Sequence, residues 1–242
     1  MTVPERVTDP ERPEVHHSHR DVTGGWLRPA VFGTMDGLIS NFSLISGFAG
    51  ADAARHLVIL SGLGGLVAGA FSMAVGEYVS VASQRDLARA EIAVERHELR
   101  HNAAAEREEL AELYISRGVE ADLAHEVARQ LSSDPELALE IHTREELGVS
   151  AEALPSPLLA ASSSFVSFGV GAVLPLLPFL LGASALYPAA IVAGIALFVA
   201  GATVARITAR PWWFGGGRQL LLGAAASAIT FGVGAAIGTH IS

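Results

Sequence analysis

Five apolar stretches, each about as long as the helix that crosses a 30 Å hydrocarbon layer, constrain this chain more than any other feature. They cover residues 29–51, 57–79, 158–181, 187–205 and 219–239. Half of the 242 residues are hydrophobic and only 17% are charged, a balance that excludes disorder and points to the membrane. Backbone groups in lipid must be paired within helices or closed barrels, and no period-two alternation marks a strand. The expected fold is therefore all-α: a polytopic membrane protein with five transmembrane helices.

The charge is not evenly spread. Between Gln84 and Ala153 lie 17 of the 25 acidic residues and 8 of the 16 basic ones. The expected division is a flexible tail (1–28), two transmembrane helices (29–83), an acidic helical module (84–153) and three more transmembrane helices (154–242). The tail lacks the apolar core of a signal peptide; its His16, His17 and His19 read as a floppy segment with weak metal affinity at most.

Within the module, residues 84–116 contain neither Pro nor Gly, which predicts that the second membrane helix runs on unbroken until Gly118. A second helix is expected over 120–131. Asp134-Pro135 starts a third, ending at Gly148, so the module reads as three helices. In the membrane part, Gly62, Gly65, Gly69, Gly232, Gly234 and Gly238 are expected at close helix contacts, and Pro175 and Pro178 are expected to kink or break the third span.

Arginine placement orients the chain, because cytoplasmic loops are enriched in basic residues. Fifteen of the 16 arginines fall in the tail, the module and the connection between the fourth and fifth spans; only Arg55 lies on the other side. The N-terminus and the module are therefore expected in the cytoplasm and the C-terminus outside. With no cysteine, disulfides, thiolate metal sites and cysteine nucleophiles are excluded. A net charge of −9 points to cationic partners and away from nucleic acid.

The acidic residues of the module are ordered. At roughly 100° per residue, Glu91, Glu95, Glu98, Glu106 and Glu109 fall within about 80° of one another, and Arg85, Arg89, Arg96, Arg100 and Arg107 occupy a separate stripe. A solvated face laced with salt bridges would alternate the signs. Here the i,i+4 neighbours are like charges, each pair costing a few tenths of a kcal/mol, which a bound cation would offset. Both readings stand at this level. On one straight helix Glu95/Glu98 and Glu106/Glu109 would be about 16 Å apart, so a shared ion needs a bend, a third helix bearing Glu145 or Glu146, or a second subunit. Oxygen ligands suit Mg²⁺, Ca²⁺ and Mn²⁺ and accept Fe²⁺. His97 and His101 are spaced as a ligand pair but lie away from the stripe.

Asp36 is the one acidic residue well inside a span. Such a group almost always faces protein or water and marks a pathway. Met73 lies in the second span with Glu77 one turn later. A thioether beside a carboxylate suits a borderline cation such as Fe²⁺, although Met73 also reads as apolar filling and Glu77 as an interfacial anchor.

Together these segments resemble the vacuolar iron transporter family. The pieces that carry the resemblance are Asp36-Gly-Leu-Ile-Ser-Asn-Phe-Ser-Leu, Gly69-Ala-Phe-Ser-Met-Ala-Val-Gly-Glu-Tyr-Val-Ser80, the carboxylate series with Glu146-Leu-Gly, and Pro175-Leu-Leu-Pro178, in that order from about Val31 to the end. The resemblance implies a homodimer of five-helix subunits that exchanges cytosolic Fe²⁺ for protons along a path between subunits. It places pathway roles on Asp36 and Met73, and metal-binding roles on Glu95, Glu98, Glu106, Glu109 and Glu146. Where the family presents methionines before the last glutamate, this chain has Ile141, His142 and Thr143, so His142 offers nitrogen in place of a soft ligand.

The expected function is export of Fe²⁺, and of Mn²⁺ as the other fitting ion, by proton antiport, with no organic cofactor. The alternative is a membrane-tethered metal sensor or adaptor whose module binds a protein partner. No nucleophile and base constellation points to an enzyme.

Overall fold

The computed structural model describes residues 25–150 and 154–241, so the tail histidines lie outside the described residues. Eight helices and no strand make up the described chain: α1 (Leu27–Gly50), α2 (Arg55–His101), α3 (Ala103–Ser116), α4 (Ala121–Leu131), α5 (Pro135–Glu145), α6 (Pro157–Leu180), α7 (Tyr187–Ile207) and α8 (Trp212–Ile241). Helices α2, α6, α7 and α8 are long and apolar enough to cross a membrane. Their outward faces carry Leu60, Leu158, Leu221 and Ile229, each about two-thirds exposed or more. An apolar exterior of this extent belongs in lipid rather than water.

Helix α1 differs. Its 24 residues are long enough to span, but Thr34, Asp36, Ser40, Asn41, Ser43 and Ser46 interrupt the apolar run and hold it below the hydropathy of the other four. Its position explains much of the composition: α1 packs against α2, α6, α7 and α8, which buries Asn41, Ser43 and Ser46, while Asp36 is half-buried and Ser40 exposed. Ser40 and Ser46 donate to the carbonyls of Asp36 and Phe42, at 2.6 and 2.7 Å. Small residues permit the crossing with α6: a Cβ on Gly37 would stand 2.3 Å from Phe168 O, and one on Gly171 2.4 Å from Thr34 O.

At 47 residues, α2 is about 70 Å long at 1.5 Å per residue and carries the chain well beyond a bilayer core. It does not run unbroken to residue 116. Asn102, at φ −125° and ψ 29°, ends it, and the Asn102 carbonyl accepts from Ala105 N and Glu106 N to start α3. The Asn102 amide also donates to Glu98. Asparagine competes with helix through such local bonds, so four helical segments, the α2 extension with α3, α4 and α5, stand where three were expected. Gly118 and Gly148 adopt φ +94° and +65° and end α3 and α5.

The membrane helices depart from expectation in two further places, α6 and α8. Helix α6 passes through Pro175 and Pro178 unbroken. Arg55, at the start of α2, donates from Nε and Nη2 to Phe179 O, at 3.0 and 2.6 Å, holding the end of α6. Helix α8 starts at Trp212 rather than near 219 because Gly215 packs against α7, where a Cβ would meet Gly201 O and Ala205 Cβ at 2.5 Å. Five of the six singled-out glycines face close neighbours within the chain; Gly232 faces none among the described residues.

The Arg55 clamp gives a stability prediction. Arg55→Ala should lower stability in detergent by about 1.5–3 kcal/mol, the range for hydrogen bonds that involve a charged group. Arg55→Lys should recover only part, because an ammonium lacks the planar fork. Equal thermal unfolding midpoints for all three proteins would rule the clamp out.

Candidate functional site

The chain changes direction at the Asn102 break between α2 and α3, and Glu106 of α3 comes to Glu95 of α2. Helix α5, packed on α2, adds His142 from its last turn and Glu146 at its C-cap. One ligand atom from each of Glu95, Glu106, His142 and Glu146 lies within 4.8 Å of the others. Opposed ligands about 2.1 Å from an ion stand about 4.2 Å apart, so a small inward movement would close the set on one dication. His142 Nδ1 sits centrally, 2.8 Å from Glu146 Oε1, 3.1 Å from Glu95 Oε1 and 3.7 Å from Glu106 Oε2.

The site is costly without a cation. Glu95, Glu106 and His142 are 9%, 8% and 0% exposed, and Glu95 Oε1 and His142 Nε2 are buried without a hydrogen-bond partner among the described residues. Burial first, then the Glu146 charge, pushes the Glu95 carboxyl up to about 7, against a lowering by His142. Glu106 is also raised, by burial and then by Glu109. Glu146 adds a carboxylate at the negative end of the α5 dipole, where anions are disfavoured.

Of the module residues singled out by sequence, Glu95, Glu106, Glu146 and His142 converge. Glu98 and Glu109 stay outside the four, but close enough for their charge to raise the Glu106 carboxyl. Glu145 instead pairs with Arg117. His97 and His101 stack on each other, ring centroids 4.0 Å apart, and are not among the four.

A second polar feature lies between α1 and α2. A groove of ≈ 450 Å³ is lined by Asp36, Ser40 and Asn41 of α1 and by Ser72, Met73 and Glu77 of α2, among others. The three membrane residues singled out by sequence thus border one space. Met73 also packs against the cluster of Ala70, Phe168 and Ala172, so it fills and lines at once. Asp36 also borders a hollow on the other flank of α1, against α7 and α8. Sequence reasoning did not single out Asn41 as a groove residue, nor Asn102 as the break that assembles the centre.

The chain matches known proteins over nearly its whole length. The profile of the VIT family covers residues 27–235. A vacuolar iron transporter of Acanthamoeba castellanii is 39% identical over 215 residues, 88% of this chain and 78% of that protein. Vacuolar iron transporter 1 of Arabidopsis thaliana is 30% identical over 223 residues, 89% of this chain and 88% of the relative. Vacuolar iron transporter homolog 1 of Oryza sativa subsp. japonica is 34% identical over 226 residues, 89% of this chain and 75% of the relative. With a family profile and relatives that each span most of it, the chain belongs to the VIT family, the family of the vacuolar iron transporters.

Proposed function

We propose that this protein is a carrier of divalent metal, Fe²⁺ foremost and Mn²⁺ as the second fitting ion, that moves its cargo out of the cytoplasm in exchange for protons. One observation carries the reading: three carboxylates and an imidazole from three helices converge to within 4.8 Å of one another on the extension of the helix that lines the groove with Met73 and Glu77. Three hard oxygens and one nitrogen suit Fe²⁺ and Mn²⁺, and the names of the relatives support iron.

In this reading α1 is a fifth span, and the module faces the cytoplasm, as the arginine distribution requires. The module collects the ion through Glu95, Glu106, His142 and Glu146, with Glu98 and Glu109 adding to the negative field. The ion passes Glu77 and Met73 to Asp36, whose carboxylate releases a proton when it takes the metal and regains one when the metal leaves. The groove lies on a flank of the subunit. A second copy closing it keeps Asp36 out of lipid, which supports a homodimer.

The test is flux. The purified protein in liposomes with an acidic lumen should accumulate Fe²⁺ anaerobically, and Mn²⁺ as well, while the lumen alkalinises. Metal uptake without lumenal alkalinisation would remove the antiport, and absence of uptake by folded protein would remove the carrier.

A further inference from the structure

Asn41 is buried in the bundle at 1% exposure. Its Nδ2 donates to Ala172 O of α6 at 2.6 Å, which fixes which end of the amide is which and leaves Oδ1 turned away from α6. That oxygen is buried and has no hydrogen-bond partner among the described residues, an expensive arrangement for a polar atom out of water. It lies against α2 at Gly65, where a Cβ would stand 2.9 Å from it. Both Asn41 and Gly65 line the α1/α2 groove. Along α2 the groove runs from Ser80 past Glu77, Met73 and Gly69 to Gly65, about 22 Å at 1.5 Å per residue, with Asn41 and Leu44 of α1 at the Gly65 end.

We propose that Asn41 is a cation ligand of this groove, its Oδ1 supplying a neutral oxygen to the dication beyond Asp36. The proposal rests on the transport reading and extends it by one station. Amide oxygens are ordinary ligands for hard dications, and Asn41 Oδ1 has no hydrogen-bond partner among the described residues that an ion would have to displace. A neutral ligand also suits a passage, because conduction needs sites that bind well enough to enter yet weakly enough to leave. Asp36 supplies the charge and Asn41 an oxygen from which the ion departs. The bond to Ala172 O holds that oxygen in place, so no side chain has to be ordered when the ion arrives.

The experiment uses the full chain with the module centre silenced by Glu95→Gln and His142→Ala, so that Mn²⁺ binding by calorimetry and electron paramagnetic resonance reports the groove. Asn41→Leu should weaken groove-bound Mn²⁺ about tenfold or more. In the otherwise unaltered protein it should lower Mn²⁺ and Fe²⁺ uptake by a similar factor. Asn41→Asp keeps an oxygen and loses the amide donor, so it should bind Mn²⁺ at least as tightly as Asn41. If Asn41 only ties α1 to α6, the Leu and Asp variants should lower the unfolding midpoint together and leave Mn²⁺ affinity alike. That result, or affinity within twofold of the parent in folded Asn41→Leu, overturns the proposal. Should Asn41→Leu fail to fold, Asn41→Ala is read by the same criteria. Asn41-dependent Mn²⁺ binding in a protein without flux would support the ligand and refute the carrier, so the two failures are distinguishable.

Discussion

Asp36→Asn should reduce Fe²⁺ and Mn²⁺ uptake into proteoliposomes by about 100-fold or more, while metal binding at Glu95, Glu106, His142 and Glu146 stays within about twofold. The size follows from the cost of an uncompensated charge. An ionised side chain at the centre of a membrane helix costs about 2.5–3.5 kcal/mol on insertion scales, and each 1.4 kcal/mol is a factor of ten. Removing the one carboxylate at that depth leaves the cation to meet a cost of this order, since Glu77, the other acidic residue lining the groove, lies two turns from Gly69 toward the module. Asparagine matches aspartate in shape, so packing against α2 is preserved and folding is not the variable. Met73→Leu, which keeps the contact with Phe168 and removes the thioether, should have a smaller effect that falls more on Fe²⁺ than on Mn²⁺. Uptake by Asp36→Asn within a few-fold of the parent would show that the ion does not pass this carboxylate.

His142→Ala or Glu95→Gln should weaken Mn²⁺ and Fe²⁺ binding to the module by at least 10- to 100-fold, the loss known for residues that only orient metal ligands. The pH dependence adds a sign. The Glu95 carboxyl is raised to about 7 in the folded chain from an ordinary 4.5. Its stabilising contribution is therefore present below about pH 4.5 and is lost as pH rises through 7. Metal binding needs the carboxylate, so affinity should fall as the pH drops below 7. The metal-free protein should lose stability relative to Glu95→Gln between pH 4.5 and 7. Added Mn²⁺ should raise the parent midpoint more at pH 7.5 than at pH 5.5, and should do little for the variant. A metal-induced shift equal at both pH values, or equal in parent and variant, would show that Glu95 does not hold the ion.

The apolar runs that form α2, α6, α7 and α8 were legible because a hydrocarbon layer imposes length and composition on each segment independently. The carboxylate stripe was legible for a related reason: helical spacing places Glu95 and Glu106 on one face whether or not they meet. The family resemblance rested on the same local strings around Asp36, Met73 and Glu146. Element ends were read less well where one residue type has two uses. Gly215 sits in α8 because its missing side chain admits α7, not because it ends a helix.

The meeting of the ligands was not legible. On an unbroken helix Glu95 and Glu106 would be about 16 Å apart; the turn at Asn102 removes that separation, and α5 then brings His142 and Glu146 from 36 residues or more along the chain. Glu98 and Glu109 share the stripe and yet stay outside, a selection made by the packing of α3 and α5 rather than by spacing. The only two asparagines in the chain carry this lesson. One breaks a helix to build the metal centre, and the other leaves an unpaired oxygen at the groove. Sequence determined the helices, the orientation signal and the charges, since each is set by a residue and its near neighbours. Tertiary structure decided which charges share a site, because that depends on contacts between helices far apart in the chain.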